Sequence, residues 1–426
     1  MSQQIFIGID FGTSGCRACA IDEHDNIIAM QQQPLPEPLI KQGHVEQDAN
    51  LWWQNVNQLL DRLFQQVDTS SIRSIAIDGT SGTVLLTDEG GKPLCPALMY
   101  NDSQCRDEAD AISAIAPENS AAHGSSSGLA KLIHLYKKHP EASHALHQAD
   151  WIAGMLCGNF STSDENNALK SGYDPVTGCW PEWIEKTGLD RQLLPTVVKP
   201  GSLIGTITKA LAKQFKLPQQ VRIIAGTTDS IAAFIATGAC CIGDAVTSLG
   251  STMVLKIISD KPVFSPQHGI YSHKLGQHWL AGGASNSGGN VLRHFFSDDQ
   301  MREMSSQLLP DIDTGLDYYP LLTPGERFPV SDPGYAGKLT PRPASDSEFF
   351  QGLLEGMAMI ECHAYKKLQQ LGAPYPARVF TAGGGSKNQP WRQIRSRRLG
   401  VSVLTAKQVD ACFGAALLAK QGAITG

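Results

Sequence analysis

Short runs of glycine, serine and threonine that could bind an anion occur at three points in this 426-residue chain. They read DFGTSG from Asp10, SLGST from Ser248 and TAGGGSKN from Thr381, and each follows an apolar strand pattern. Backbone N–H groups in such tight turns converge on one point, where they can bind phosphate. Glycine and serine are common in all turns, so each run alone is also explained as a simple chain reversal. Three such runs, two of them alike, favour a nucleotide-binding protein.

These runs differ from the common nucleotide-binding signatures. The GxxxxGK[ST] pattern of P-loop proteins is absent, and the glycines at 383–385 lack the GxGxxG spacing of a dinucleotide site. The DFG that begins at Asp10 has only nine residues before it, whereas the protein-kinase DFG follows a catalytic loop. The sequence therefore points away from P-loop, Rossmann and protein-kinase folds.

Predicted strands and helices must position these turns. Residues 4–22 predict a β-hairpin that folds about the first turn, and residues 72–78 predict a strand that ends in Asp78. Residues 221–239 predict a strand, a polar turn that contains Asp229, and an apolar helix. In an α/β unit such a turn lies at the carboxyl edge of the sheet, where ligands bind.

The plan of the opening hairpin recurs in AVTSLGSTMVLKII, residues 245–258. The two copies lie about 240 residues apart, which is far beyond the period of solenoid repeats. The chain length also suits two domains better than one. We therefore predict duplicated α/β domains, residues 1–242 and 243–426, and two domains imply a cleft.

Composition and charge exclude several classes of protein. The chain is 42% hydrophobic and 18% charged, which is typical of a soluble globular protein, and its net charge of −6 argues against nucleic acid as a partner. No apolar run approaches the roughly 20 residues that span a bilayer, so we expect no membrane partner. Without a secretion signal, we expect a cytoplasmic protein with reduced cysteines. A homodimer is compatible with the sequence.

A family resemblance joins these motifs. DFGTSG, SLGST, AGTTDS before an apolar helix, and GGGSKNQPWRQIRSRRLGVSV followed by DACFGAALLA together resemble the FGGY family of carbohydrate kinases. Similarity to the middle segments of the family extends the resemblance over nearly the whole chain. It implies two ribonuclease-H-like α/β domains of the actin and hexokinase type, with sugar and ATP in the cleft between them. The first domain would bind sugar and hold the catalytic base, and the second would bind the nucleotide.

The resemblance implies roles for two carboxylates. Asp229 aligns with the catalytic base of the family, which accepts the proton of the sugar hydroxyl as that oxygen attacks the γ-phosphorus of ATP. Without the resemblance, Asp229 would be interpreted as a helix cap. Asp10 resembles the carboxylate that holds Mg²⁺ beside the substrates. A single aspartate in a turn more often bonds its own backbone.

The resemblance also implies that small residues from all three runs contact the nucleotide. These are Gly12, Thr13 and Ser14 at the terminal phosphates, Gly250, Ser251 and Thr252 from the second domain, and Gly383, Gly384, Gly385 and Asn388 at the nucleoside.

For the sugar, we predict contacts from two polar stretches, DGTSG at residues 78–82 and YNDSQCR at residues 100–106. Polyols need many hydrogen-bond partners, and short polar side chains at strand ends supply them at little entropic cost. The same residue types are also common in plain turns. The predicted sugar contacts are Asp78, Thr80, Ser81, Asn101, Asp102 and Arg106.

Departures from the family bear on the substrate. Xylulose kinases of the family commonly carry Met-His where this chain has Ser81 and Gly82, which counts against D-xylulose. The chain is also short for the family and resembles its short members that are linked to D-ribulose. We therefore expect phosphorylation of a ketopentose, D-ribulose first, at the terminal hydroxyl, with D-xylulose or another ketose or polyol as the alternative. The alternative from another class is an actin-like ATP-binding regulatory module that phosphorylates no sugar.

Overall fold

Two six-stranded β-sheets, one in each of two units of the chain, form the framework of the protein, and unit 1 also contains a two-stranded and a five-stranded sheet. The computed structural model describes residues 3–41 and 43–425. Unit 1 comprises Met1–Ala236 and Asp410–Gly426, and unit 2 comprises Thr237–Val409.

The regular elements of unit 1, up to residue 236, are as follows. Its described strands are β1 (Ile5–Phe11), β2 (Gly15–Ile21), β3 (Ile27–Pro34), β4 (Leu39–Lys41), β5 (His44–Gln47), β6 (Ile72–Gly79), β7 (Val84–Thr87), β8 (Ala97–Leu98), β9 (His144–His147), β10 (Thr162–Asp164), β11 (Thr196–Val198), β12 (Leu203–Thr206) and β13 (Arg222–Ile224). Its described helices are α1 (Ala49–Phe64), α2 (Arg106–Ser113), α3 (Gly128–Tyr136), α4 (Gln148–Cys157), α5 (Glu165–Leu169), α6 (Lys209–Phe215) and α7 (Asp229–Ala236).

The main sheet of unit 1 has the strand order β12-β13-β6-β1-β2-β3. The predicted opening hairpin is confirmed, because β1 and β2 pair antiparallel and the N–H of Gly12 donates to the carbonyl of Gly15 across the turn. Strands β1, β6 and β13 run parallel to one another, so their carboxyl ends meet at one edge.

Unit 2 contains the remaining strands and most of the remaining helices. Its described strands are β14 (Asp244–Leu249), β15 (Met253–Ser259), β16 (His273–Leu275), β17 (His278–Ser285), β18 (Arg378–Ala382) and β19 (Ser402–Thr405). Its described helices are α8 (Gly289–Phe295), α9 (Asp298–Ser305), α10 (Asp346–Gln370) and α11 (Gln389–Leu399).

The sheet of unit 2 repeats the plan of the first sheet. Its strand order is β16-β17-β15-β14-β18-β19, with β14 antiparallel to β15 and parallel to β18. The pair β14–β15 thus corresponds to β1–β2, and β18 corresponds to β6. The predicted fold class of two duplicated, ribonuclease-H-like α/β domains is confirmed.

The last helix, α12 (Ala411–Thr425), belongs to unit 1. A Cβ atom on Gly8 of β1 would lie 2.0 Å from the carbonyl oxygen of Cys412, so glycine permits the close approach of this helix to the sheet. The predicted division into residues 1–242 and 243–426 assigns the helix to the second domain. The structure divides the chain differently because the helix buries its apolar side chains, such as Phe413 and Ala416, against the first sheet.

Both faces of the first sheet are covered by helices, as alternation along β1 requires. Ile7 and Ile9 belong to a hydrophobic cluster with Trp52 of α1. Phe6 points to the opposite face, into a cluster with Phe413 of α12. Each such fully buried side chain contributes about 1.5–3 kcal/mol of transfer free energy. This packing fixes the strand ends that carry the candidate site.

Within residues 3–41 and 43–425, none of the helices has both the length and the apolar character needed to span a bilayer.

Candidate active site

Three aspartates meet at the carboxyl edge of the parallel strands in unit 1. Asp10 near the end of β1 and Asp78 near the end of β6 are register partners. Asp229 begins α7, directly after the turn that follows β13, and its charge acts on Asp78. Asp10 is 6% exposed and Asp78 is 0% exposed. The structure therefore brings together three carboxylates that are far apart in the sequence.

Burial and mutual repulsion dominate the electrostatics of this group. Burial raises the pKa of Asp10, and its neighbours Asp78 and Arg17 oppose the shift only in part. The Arg17 guanidinium lies 3.5 Å from the Asp10 carboxylate. Burial, followed by the proximity of Asp10 and Asp229, raises the pKa of Asp78 well above its ordinary value. A cation at this edge would relieve the repulsion.

The donor set suits a hard divalent cation. Among the described residues, no group other than the neighbouring Asp10 carboxyl hydrogen-bonds to the buried carboxylate oxygens of Asp78. Carboxylate oxygens are the protein ligands that Mg²⁺ prefers. The Asp10–Asp78 pair therefore fits a magnesium ion on the chemistry of its atoms.

The turn after β1 is accessible. Gly12 and Thr13 are half-buried and Ser14 is exposed, at the tip of the β1–β2 hairpin. Gly12 closes the turn through its hydrogen bond to Gly15, which leaves the Thr13 and Ser14 side chains at the surface of unit 1.

Asp229 is the first residue of α7 rather than the residue before it. The carbonyl of Thr228 accepts from the N–H groups of Ile231 and Ala232, so Thr228 occupies the N-cap position. The Asp229 carboxylate accepts from the N–H of Ser230 at 2.6 Å and is partly exposed. A buried hydrogen bond stabilises the turn between β13 and α7, because the side-chain amide of Asn166 donates to the Thr227 hydroxyl at 3.0 Å.

A pocket of about 730 Å³ lies within unit 2. Five residues predicted to contact the nucleotide line it, namely Gly250, Ser251, Gly384, Gly385 and Asn388. Thr252 and Gly383 lie beside the pocket, outside its lining. Gly383 has φ +80°, and a Cβ atom there would lie 2.6 Å from the carbonyl oxygen of Leu249. Glycine at 383 therefore shapes the turn that presents Gly384 and Gly385.

Sequence reasoning missed most of the opposite wall of this pocket. It consists of polar and apolar side chains from α8, α9 and α10, namely Arg293, Asp298, Met301, Arg302, Ser305, Phe350, Leu354 and Met357. No local sequence pattern marks these residues; the fold brings them to a predicted nucleotide run, where the side-chain amide of Asn388 donates to the hydroxyl of Ser305 at 2.8 Å. That pairing joins segments 83 residues apart.

The residues predicted to contact sugar fall into two groups. Asp78, Thr80 and Asp102 are buried. Thr80 donates from its backbone N–H and pairs through its hydroxyl with the side chain of Gln148, and the Asp102 carboxylate accepts from the backbone N–H of Val45 at 2.7 Å. Thr80 and Asp102 therefore form hydrogen bonds inside the protein that stabilise the segments on which they lie.

The other group is available to a ligand. Asn101 and Arg106 are exposed. The Ser81 hydroxyl is buried and has no hydrogen-bond partner among the described residues. A buried hydroxyl without a partner costs free energy, which a hydrogen-bonding ligand can recover.

Two family models match the chain. The N-terminal domain of the FGGY family of carbohydrate kinases matches residues 5–236, and the C-terminal domain of the same family matches residues 245–422. Together these matches cover most of the sequence.

Individual relatives and solved structures agree with the family match. The chain is similar to a xylulose kinase of Staphylococcus epidermidis, with 24% identity over 99% of this chain and 88% of the relative. It is similar to the crystal structure of a xyloylose kinase from Brucella ovis, with a TM-score of 0.89 and 23% identity over 99% of this chain and 91% of the other. It is also similar to Plasmodium falciparum glycerol kinase with ADP, with a TM-score of 0.87 and 19% identity over 99% and 90% of the two chains. At these identities the structural likeness shows the fold.

Proposed function

Because this chain belongs to the FGGY family of carbohydrate kinases, we propose that it transfers the γ-phosphoryl group of ATP to the terminal hydroxyl of a ketopentose. ATP-dependent phosphorylation of a sugar follows from the family. The ketopentose and the residue roles below are the proposal. The observation that carries them is the meeting of Asp10, Asp78 and Asp229 at one edge of the sheet.

Asp229 is the proposed base. It would accept the proton of the sugar hydroxyl as the hydroxyl oxygen forms its bond to the γ-phosphorus and the bond to the β-phosphate oxygen breaks. Phosphoryl transfer relies mainly on positioning and charge neutralisation, so one aligned carboxylate is sufficient. Its place at the first residue of α7 supports the role, because the helix dipole favours the ionised form.

Asp10 is the proposed residue that holds Mg²⁺, directly or through water, with Asp78 beside it. The ion, when bound, neutralises charge on the phosphate oxygens. Arg17, whose guanidinium lies 3.5 Å from Asp10, would keep that carboxylate oriented.

Each unit carries proposed nucleotide contacts of its own. In unit 2 the pocket of about 730 Å³ has the size of a small-molecule site, and its glycine-rich wall at Gly250, Gly384 and Gly385 permits close approach of a ligand to the backbone. In unit 1, Thr13 and Ser14 are the proposed contacts to the terminal phosphates. The likeness to a glycerol kinase with ADP supports a nucleotide in this fold.

Two ketopentoses compete as the substrate. D-Ribulose is our first candidate because the residues at the Met-His position of xylulose kinases are Ser81 and Gly82. Gly82 has φ +84°, a backbone conformation that a histidine rarely adopts. D-Xylulose is the second candidate because relatives such as the Staphylococcus epidermidis protein are named xylulose kinases. Ser81, Asn101 and Arg106 are the proposed direct contacts to either sugar.

A coupled assay of ADP release over a panel of sugars tests the proposal. The panel contains D-ribulose, D-xylulose, L-fuculose, gluconate and glycerol, with sugar-free reactions as the baseline. We expect the highest kcat/KM for D-ribulose. A preference for D-xylulose would reverse the order of our two candidates. If no sugar raises ADP release above the baseline, the chain is instead an ATP-binding regulatory module.

A further inference from the structure

Lys131 is fully buried in unit 1, an uncommon place for a lysine. It lies on α3, and its ammonium group donates to the carbonyl of Gly82 at 2.8 Å and to that of Met99 at 2.8 Å. A third, longer bond of 3.3 Å reaches the carbonyl of Tyr100. These three acceptors use all three hydrogens of the ammonium group.

No carboxylate in the described part of the chain forms an ion pair with Lys131. Asp102 attracts the ammonium charge from a longer distance, and Lys170 repels it. Burial is the largest effect and lowers the pKa of Lys131 to about 8. The ammonium group is therefore hydrogen-bonded by backbone carbonyls and not by a carboxylate. A buried lysine is costly, whereas an apolar residue there would remove a donor from three carbonyls, of which, among the described residues, only that of Met99 also accepts from another group, the N–H of Asp102.

The three carbonyls belong to the two segments that carry the proposed sugar contacts. Gly82 directly follows Ser81, and Tyr100 directly precedes Asn101. A second bond joins the same segments, because the N–H of Tyr100 donates to the Thr83 hydroxyl at 3.0 Å. Lys131 thus connects the two segments next to Ser81 and Asn101.

We propose that Lys131 is a positioning residue for the sugar: it holds the segments at 80–83 and 99–102 at the spacing that lets Ser81 and Asn101 bind one substrate molecule. The inference rests on the proposed function. Lys131 is itself fully buried, so it acts through the two segments and does not touch the sugar. Misplacement of a substrate by about 1 Å is enough to lower activity a hundredfold.

Lys131→Met and Lys131→Gln test this role. Methionine and glutamine both end one atom short of the lysine Nζ; methionine removes every donor, whereas glutamine keeps two donors. We expect Lys131→Met to raise the sugar KM by about tenfold to a hundredfold with no change in the ATP KM, and Lys131→Gln to raise it less. Lys137→Met is the matched control, because Lys137 follows the same helix but has a half-exposed side chain paired with Glu108.

Amide hydrogen exchange supplies a readout that needs no sugar. The N–H groups of Thr83, Tyr100 and Asp102 are hydrogen-bonded within or between the two segments. We expect them to exchange at least about tenfold faster in Lys131→Met than in the wild type, with the β1–β2 amides unchanged.

Each outcome decides one point. If the wild type phosphorylates no sugar, the proposed function fails and the exchange rates alone decide whether Lys131 holds the two segments. If the wild type is active, an unchanged sugar KM in Lys131→Met overturns the inference and leaves the proposed function intact. An equal rise in the KM of ATP, or failure of both Lys131 variants to fold, also overturns it, since the role would then be general stability.

Discussion

Arg395 and Glu361 form a bidentate ion pair inside unit 2, with both N–O distances at 2.6 Å. Their side chains are 1% and 0% exposed. The remaining guanidinium nitrogen donates to the Thr381 hydroxyl at 2.7 Å, and Glu361 also accepts from the Thr247 hydroxyl. Because Arg395 is on α11, Glu361 on α10 and the threonines on β18 and β14, the pair joins two helices to the strands that precede the glycine runs lining the pocket of unit 2.

Arg395→Met is expected to lower the free energy of unfolding of unit 2 by about 3–5 kcal/mol, because it leaves the Glu361 charge buried without its partner. Chemical denaturation followed by tryptophan fluorescence measures the loss. The double variant Arg395→Met/Glu361→Leu should recover most of it, since an apolar pair of similar volume removes the unpaired charge.

Arg397→Met is the matched control on the same helix. Arg397 pairs with the half-exposed Asp313, and surface pairs contribute at most about 1 kcal/mol. Equal losses of stability in Arg395→Met and Arg397→Met would show that the buried pair has no special role.

Asp229→Asn is expected to lower kcat by about a hundredfold to ten-thousandfold, the usual effect of removing a positioned base. Affinity for ATP should stay at the wild-type value, because Asp229 is in unit 1 and the proposed nucleotide pocket is in unit 2. Steady-state kinetics with the best sugar of the panel and a separate binding measurement with ATP provide the two readouts.

The control distinguishes a base from a helix-terminal aspartate. Asp48 caps α1 by accepting from the N–H of Asn50, so Asp48→Asn makes the same chemical change at a helix end away from the carboxylate group. Near-normal turnover in Asp229→Asn would remove the base from our proposal. A comparable fall in Asp48→Asn would point to a general effect on stability.

Local sequence patterns predicted the elements that position the carboxylates. The short apolar run at residues 5–11 and the small residues that follow it predicted the first hairpin, since both are properties of neighbouring residues. The recurrence of the pattern at 245–258 predicted the second sheet for the same reason. Helix α10 likewise begins directly after Ser345, which caps it because its hydroxyl accepts from the N–H of Glu348.

Long-range packing could not be predicted in this way. The association of α12 with the first sheet depends on contacts such as that between Gly8 and Cys412, about 400 residues apart, and no local pattern records them. Arg302 lines the pocket from α9, whose sequence DDQMREMS looks like that of an ordinary charged surface helix. Lys131 was missed because lysine is normally exposed.

Gly384→Val is expected to weaken ATP binding by at least about tenfold, equivalent to about 1.4 kcal/mol. A Cβ atom on Gly384 meets no atom within 4 Å, so the new side chain would extend into the pocket that Gly384 lines without disturbing the fold. Thermal unfolding should stay at the wild-type temperature, and the KM for sugar should not change.

Gly334→Val is the corresponding control, because Gly334 is exposed in unit 2 and its added Cβ would lie 3.4 Å from the Asp332 side chain. By contrast, Gly385→Val should destabilise the fold, since its Cβ would lie 2.6 Å from the ring of Trp391. Wild-type affinity for ATP in a folded Gly384→Val protein would place the nucleotide elsewhere.

His147 makes the stability of unit 1 depend on pH. The imidazole is buried, and its Nε2 pairs with the Ser171 hydroxyl at 3.0 Å. Burial, with smaller effects from Lys131 and Lys170, lowers the pKa of His147 from 6.5 to about 3. Below pH 6.5 the unfolded chain therefore binds a proton that the folded protein does not bind, so this residue lowers stability as the pH falls towards 3.

His147→Gln should remove that dependence. Between about pH 7.5 and about pH 5, the wild type should lose about 2 kcal/mol more unfolding free energy than the variant, because linkage gives about 1.4 kcal/mol per pH unit well below the unfolded pKa. Urea denaturation at both pH values measures the difference. The exposed His24→Gln makes the same substitution and should retain the wild-type pH dependence. If His147→Gln loses as much stability at low pH as the wild type, His147 is protonated inside the folded protein and its burial does not control the pH response.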